Sequence, residues 1–84
     1  MSASDLALQT RRRANLRHLI QSLDQVGVQS RSLQAEIIAG MKGPDLQRII
    51  DGGRISDAFA REVEWAMHRP HGWLDRQPED APDD

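Results

Sequence analysis

Cysteine is absent from this 84-residue chain, which excludes disulfides, thiolate nucleophiles and cysteine-ligated zinc ribbons or fingers. Aromatic residues make up only 4%, and with β-branched residues also scarce the composition has little of what favours sheets. No apolar run approaches the roughly 20 residues that a membrane helix requires. The opening MSASDLALQTRRR puts its charges after its apolar residues, the wrong order for a secretory signal. A cytoplasmic location is the expectation. What is there, 38% hydrophobic and 29% charged residues, is the profile of one small α-rich domain. A chain this short buries roughly 60–65% of its unfolded surface, so self-association is expected to contribute to its stability.

The formal net charge is −2, which at first argues against a nucleic-acid partner. Its distribution argues otherwise. Residues 77–84, QPEDAPDD, hold four of the thirteen acids and no base, leaving eleven basic and nine acidic residues in 1–76, a net of +2. Two prolines, four acids and no large apolar residue predict a disordered acidic tail over 77–84. Three arginines of the body stand together at Arg11, Arg12 and Arg13.

Leu16, Leu19, Ile20 and Leu23 recur at helical spacing, with Leu8 and Val26 near the same stripe and Arg11, Asn15, His18, Ser22 and Gln25 opposite. This predicts a first helix over about 12–25, stopped by Gly27. Residues 1–11 are its N-terminal extension or a flexible arm. Ser32 to Ala39 predicts a second helix with Leu33, Ile37 and Ile38 inward, ended by Gly40. Pro44 followed by Asp45 opens a third, about 44–51, with Leu46, Ile49 and Ile50 inward. Ser56-Asp57 starts a fourth, with Phe59, Ala60, Val63, Ala66 and Met67 inward and Arg61, Glu62 and Glu64 outward; Pro70 stops it. A last short turn over 70–75 is anchored by Trp73 and Leu74. The expected fold is all-α, a compact five-helix bundle, with its domain over 12–76.

Catalytic chemistry finds no support in these residues. His18, His68 and His71 show no ligand spacing, and Pro70 separates the last two. Gly52-Gly53 ends a helix and follows no strand, so it is not a phosphate cradle. No metal, cofactor, small-molecule ligand or membrane partner is expected. Two short helices joined by a tight Gly-containing turn, 32–39 and 44–51, have the spacing of a helix-turn-helix, whose second helix enters the major groove of duplex DNA. An ordinary helical hairpin shares those stripes. In the DNA-binding arrangement Lys42, Asp45, Gln47 and Arg48 face outward as base-reading candidates, Arg48 towards guanine and Gln47 towards adenine. Arg54, Arg31 and the N–H groups opening the two helices, at Ser32 and Gly43, are the phosphate candidates, with Lys42 able to serve there too. Arg11 to Arg13 reach a phosphate or a minor groove, or form the solvated face of helix 1.

The run Leu46 to Arg76 resembles the lambda-repressor-like (XRE/Cro type) helix-turn-helix family of bacterial, plasmid and phage regulators. Gly52 to Arg54, Ile55-Ser56-Asp57, Ala60-Arg61-Glu62-Val63-Glu64 and the closing Pro70 to Asp75 carry the likeness, and Asn15 to Ile20 is similar to the family's opening helix. With Gly40 on the family's turn glycine, Leu46 falls on its buried recognition-helix position and Glu36 where a small buried Ala is usual. Gly43 and Pro44 fall where members often carry base-contacting side chains. The resemblance implies a sequence-specific double-stranded DNA-binding transcriptional regulator, a small repressor of a plasmid, phage or local bacterial operon, at the nucleoid when bound. Because one such module reads only a few base pairs, a homodimer is expected, through Trp65, Trp73 and Leu74. The alternative is a protein-interaction module on the same fold, antitoxin-like or an anti-regulator adaptor, without DNA binding.

Overall fold

A computed structural model describes residues 3–77. Four α-helices and one 3-10 turn follow in order: α1 Ala3–Gln25, α2 Arg31–Ala39, α3 Gly43–Ile50, α4 Asp57–Ala66, and the turn Trp73–Asp75. The described chain is all-helical, and the fifth expected helix is a single 3-10 turn. The acidic tail lies outside the described residues except for Gln77.

Residues 3–11 belong to α1, because no Gly or Pro interrupts the chain before Gly27. Ser30 and Ser56 start α2 and α4 by accepting the N–H groups of Leu33 and Phe59. Gly40 ends α2 at φ 61°, its N–H returning to the Glu36 carbonyl, a left-handed cap that costs glycine little. Pro44 in the first turn of α3 lacks only an N–H that would be unpaired there anyway.

The core joins Leu16, Leu19 and Ile20 of α1, Ala35 and Ile38 of α2, Leu46 of α3, Ala60 and Val63 of α4, and Ile55, Trp73 and Leu74. α2 packs on α3 and α4, while α1 packs on α3 and the 3-10 turn. Leu33 and Ile37, expected inside, are 51% and 42% exposed. The buried side of α2 is Gln34, Ala35 and Ile38, and positions 33 and 37 lie about one residue's rotation, roughly 100°, away from it. Ala35 is fully buried and Glu36 is exposed.

Several polar side chains expected outside are buried. The apolar stripe of α1 continues towards the N-terminus as Arg12 and Gln9, and Asn15 lies beside it, all three buried. Gln9 exchanges two hydrogen bonds with the Ile55 peptide, donating Nε2 to its carbonyl (2.9 Å) and accepting its N–H (2.7 Å). Arg12 donates to the Ile55 carbonyl, to Asp57 and to Asp75. Asn15 donates to the Leu74 and Arg76 carbonyls, both at 2.8 Å. Glu64 accepts the N–H groups of Gly72 and Leu74, fastening the closing turn to α4. These groups satisfy loop peptides that α1 and α4 would otherwise bury unpaired.

Candidate nucleic-acid interface

The sharpest local constraint lies where α2 and α3 begin. Gly43 is buried, and a Cβ there would stand 3.2 Å from the Ser32 N and Oγ and 3.3 Å from its Cα. A side chain there would press on Ser32 more tightly than most Cβ contacts, so glycine suits this close approach of the two helix starts. Their N-terminal N–H groups carry partial positive charge, so two such ends lie side by side. An open depression of about 490 Å³, lined by Ser32, Glu36, Gly40, Met41, Lys42, Gly43 and Pro44, runs beside them. Burial removes Gly43 from the surface groups expected to touch phosphate, while Ser32 remains exposed.

Along α3, Leu46 is fully buried and Lys42, Pro44 and Arg48 are exposed. Asp45 and Gln47 are half-buried. Arg48 stands 3.5 Å from the Asp45 carboxylate with 75% of its side chain exposed. Gln47 is held from both sides: Arg31 Nε donates to its Oε1 (3.0 Å), and its Nε2 donates to Asp51 (3.0 Å). Arg31 also donates to Gln34 Oε1 (2.6 Å), whose Nε2 donates to Asp24 and the Val28 carbonyl. A chain of hydrogen bonds therefore runs from the end of α1 through α2 to the outer side of α3.

Arg54 sits past the other end of α3, about 12 Å of helix from Lys42, and makes a two-pronged pair with Asp5 at 2.9 and 3.0 Å. That hydrogen bond outweighs the opposing effect of burial and holds the Asp5 carboxyl below its ordinary range. Arg31, Ser32, Lys42, Gln47 and Arg48 thus belong to the two helix starts and the face of α3, and Arg54 belongs to the seam with α1.

Three arginines expected at phosphate or in solvent bind the protein itself. Arg11 donates to the Asp75 carbonyl, and Arg12 is buried. Arg13 donates to the Ile49 and Gly53 carbonyls, and Arg17 to that of Ile50. Arg13 and Arg17 cap the C-terminal, negative end of α3. Sequence reasoning missed this function, because the partners lie 33–40 positions away.

Trp73 and Leu74, expected at a dimer interface, are 1% and 0% exposed. They close the monomer's own core and leave no surface for a partner. Trp65 is 84% exposed.

Comparison with family models, with curated proteins and with solved structures finds no match for this chain in any of the three.

Proposed function

We propose that this chain is a sequence-specific double-stranded DNA-binding transcriptional regulator, a small repressor of a plasmid, phage or local bacterial operon. In this reading α2 and α3 act as a helix-turn-helix, and α3 enters the major groove. The observation that carries it is the meeting of two helix N-termini at Ser32 and Gly43, beside Arg31 and Lys42, with Arg48 exposed in the last turn of α3. Phosphate fits the exposed start of α2 at Ser32 and Lys42 beside it. Arg48, tied to Asp45 by one long exposed contact, swings to guanine at little cost.

Gln47 suits adenine for a reason of inventory. Its Oε1 keeps a second lone pair beside Arg31, and its Nε2 keeps a second hydrogen beside Asp51. A bidentate contact to adenine N6 and N7 can form without breaking either hold.

The deciding experiment is a gel-shift series over ionic strength on the DNA upstream of the protein's own gene. Specific binding that weakens linearly in the logarithm of salt supports the reading. Absence of any duplex binding even at about 50 mM salt, where phosphate contacts are strongest, overturns it. The pairing of Arg48 with Asp45 and of Arg54 with Asp5 favours one second reading, a protein-interaction module on the same fold, which predicts that absence.

A further inference from the structure

Gln34, on the inner side of α2, is 1% exposed with both ends of its amide hydrogen-bonded, and each bond has a forced direction. The Val28 carbonyl and the Asp24 carboxylate can only accept, so both face the Gln34 NH2 group. That turns Oε1 towards Arg31, whose guanidinium can only donate and does so at 2.6 Å. Nε of the same guanidinium donates to Gln47 at 3.0 Å, so Gln47 offers its oxygen on that side. Its NH2 group then lies towards the Asp51 carboxylate, again a pure acceptor. Through one amide and one guanidinium, the Val28 carbonyl sets which end of the Gln47 amide is oxygen.

Which end is oxygen matters because adenine is asymmetric. It presents an N7 acceptor and an N6 donor in a fixed order across the major groove, and exchanging A·T for T·A reverses that order. An amide free to turn over fits adenine on either strand, whereas one of fixed polarity fits a single strand. We propose that Arg31, held by buried Gln34, is a positioning residue that fixes the polarity of the Gln47 amide and so selects the strand on which adenine is read. This role rests on the DNA-binding reading. It takes the place of the phosphate contact expected of Arg31, whose Nε and Nη1 both donate within the protein.

Magnitudes make Arg31, rather than Asp51, the determinant. The bond from Gln47 to Asp51 is exposed and spans one turn of α3, a contact that favours one amide orientation by a factor of only about two. The bond from the Arg31 guanidinium is partly buried and charge-assisted, a class that favours it by roughly tenfold or more.

The test is binding-site selection with the full chain, then titration of the selected duplex and of the same duplex with the adenine-bearing pair inverted. The wild type is expected to prefer one orientation by roughly tenfold or more. Arg31→Ala should narrow that preference to about twofold and leave the salt slope unchanged, because no phosphate contact is lost. Arg31→Glu combined with Asp51→Lys keeps the net charge and exchanges donor for acceptor on the two sides of Gln47, so the favoured orientation should invert. A purely structural role lowers affinity for both orientations alike and cannot exchange them. The ratio of two affinities of one protein is insensitive to its folded fraction, so a modest loss of stability does not blur the result. An Arg31→Ala chain that keeps the wild-type preference while its salt slope falls by about 1 makes Arg31 a phosphate contact and overturns the proposal. A double variant that keeps the wild-type orientation overturns it too. A wild-type chain that binds no duplex at about 50 mM salt removes the DNA-binding reading and this role together, whereas the other two failures remove the role alone.

Discussion

The Arg12 guanidinium and the Asp75 carboxylate meet at 2.7 Å across 63 residues of sequence, with the Arg12 side chain 2% exposed. The same guanidinium reaches Asp57 at 2.7 Å and the Ile55 carbonyl at 2.8 Å. One side chain therefore ties α1 to the start of α4 and to the closing turn.

Arg12→Ala removes one of the two side-chain donors to Asp75 and one of the two to the buried Ile55 carbonyl, leaving Arg61 and Gln9 in place. The expected loss is about 3 kcal/mol, at the lower end for a broken buried pair because Asp57 is 87% exposed. In a domain of this size that lowers the Tm by roughly 12–24 °C. A calorimetric or circular-dichroism melt checks it; a shift under about 4 °C, the size of 1 kcal/mol, would show that the contact contributes little.

Acid should undo the same contact. Burial pushes the Asp75 carboxyl up, and the hydrogen bonds from Arg12 and Arg61 outweigh it, so the group stays below the usual carboxylate range. A depressed folded pKa stabilises fully above the unfolded value, about 3.9, and the stabilisation is lost as pH falls through the folded value. The wild-type Tm is therefore expected to fall more steeply below about pH 4 than that of Asp75→Asn. Parallel curves for the two proteins would contradict this.

At the α2–α3 junction, Gly43→Ala forces a methyl against the Ser32 backbone at 3.2–3.3 Å. Backbone at a helix start yields less than a side chain, so the two helices must separate slightly. The expected destabilisation is about 1–2 kcal/mol, with DNA affinity falling in step because the paired helix ends move apart. A variant as stable as the wild type that also binds as tightly would remove the close approach from the function.

On the face of α3, Arg48→Ala is expected to weaken specific DNA binding by roughly 1–3 kcal/mol while leaving the Tm nearly unchanged. Gln47→Ala should relax discrimination at one A·T pair by a similar amount, and Lys42→Ala should lower the salt slope by about 1 without altering sequence preference. Binding-site selection followed by salt titration separates the three. Unaltered operator affinity in Arg48→Ala takes that residue out of the reading set.

How far the sequence revealed this architecture depends on the range of each signal. Helix ends were legible because Gly27, Gly40, Pro44 and Ser56 act on the peptide next to them. The core stripe of α1 was legible from Leu16 to Ile20 because apolar spacing is local. Asn15, Arg12 and Glu64 were assigned outward because a polar residue on a helix is ordinarily hydrated. Their partners, the Ile55, Leu74 and Gly72 peptides, belong to loops that the fold brings near and no periodicity marks. Of the proposed DNA face, Lys42, Gln47 and Arg48 were readable from the outward side of α3. The Arg31 hold on Gln47 was not, since it joins two helices 16 residues apart.

The dependence of α1 on the closing turn also sets when this chain can fold. Arg11, Arg12 and Asn15 are made first, yet their acceptors on the closing turn lie 58–64 positions later. Until Trp73 to Arg76 has left the ribosome, the core lacks Trp73 and Leu74, and Arg11 and Asn15 lack their acceptors on the closing turn. A domain folds as a unit during synthesis; here that unit stays open until the turn Trp73–Asp75 has emerged. A nascent or prematurely terminated chain ending before Trp73 keeps its core open, an accessible substrate for the proteases that remove incomplete products.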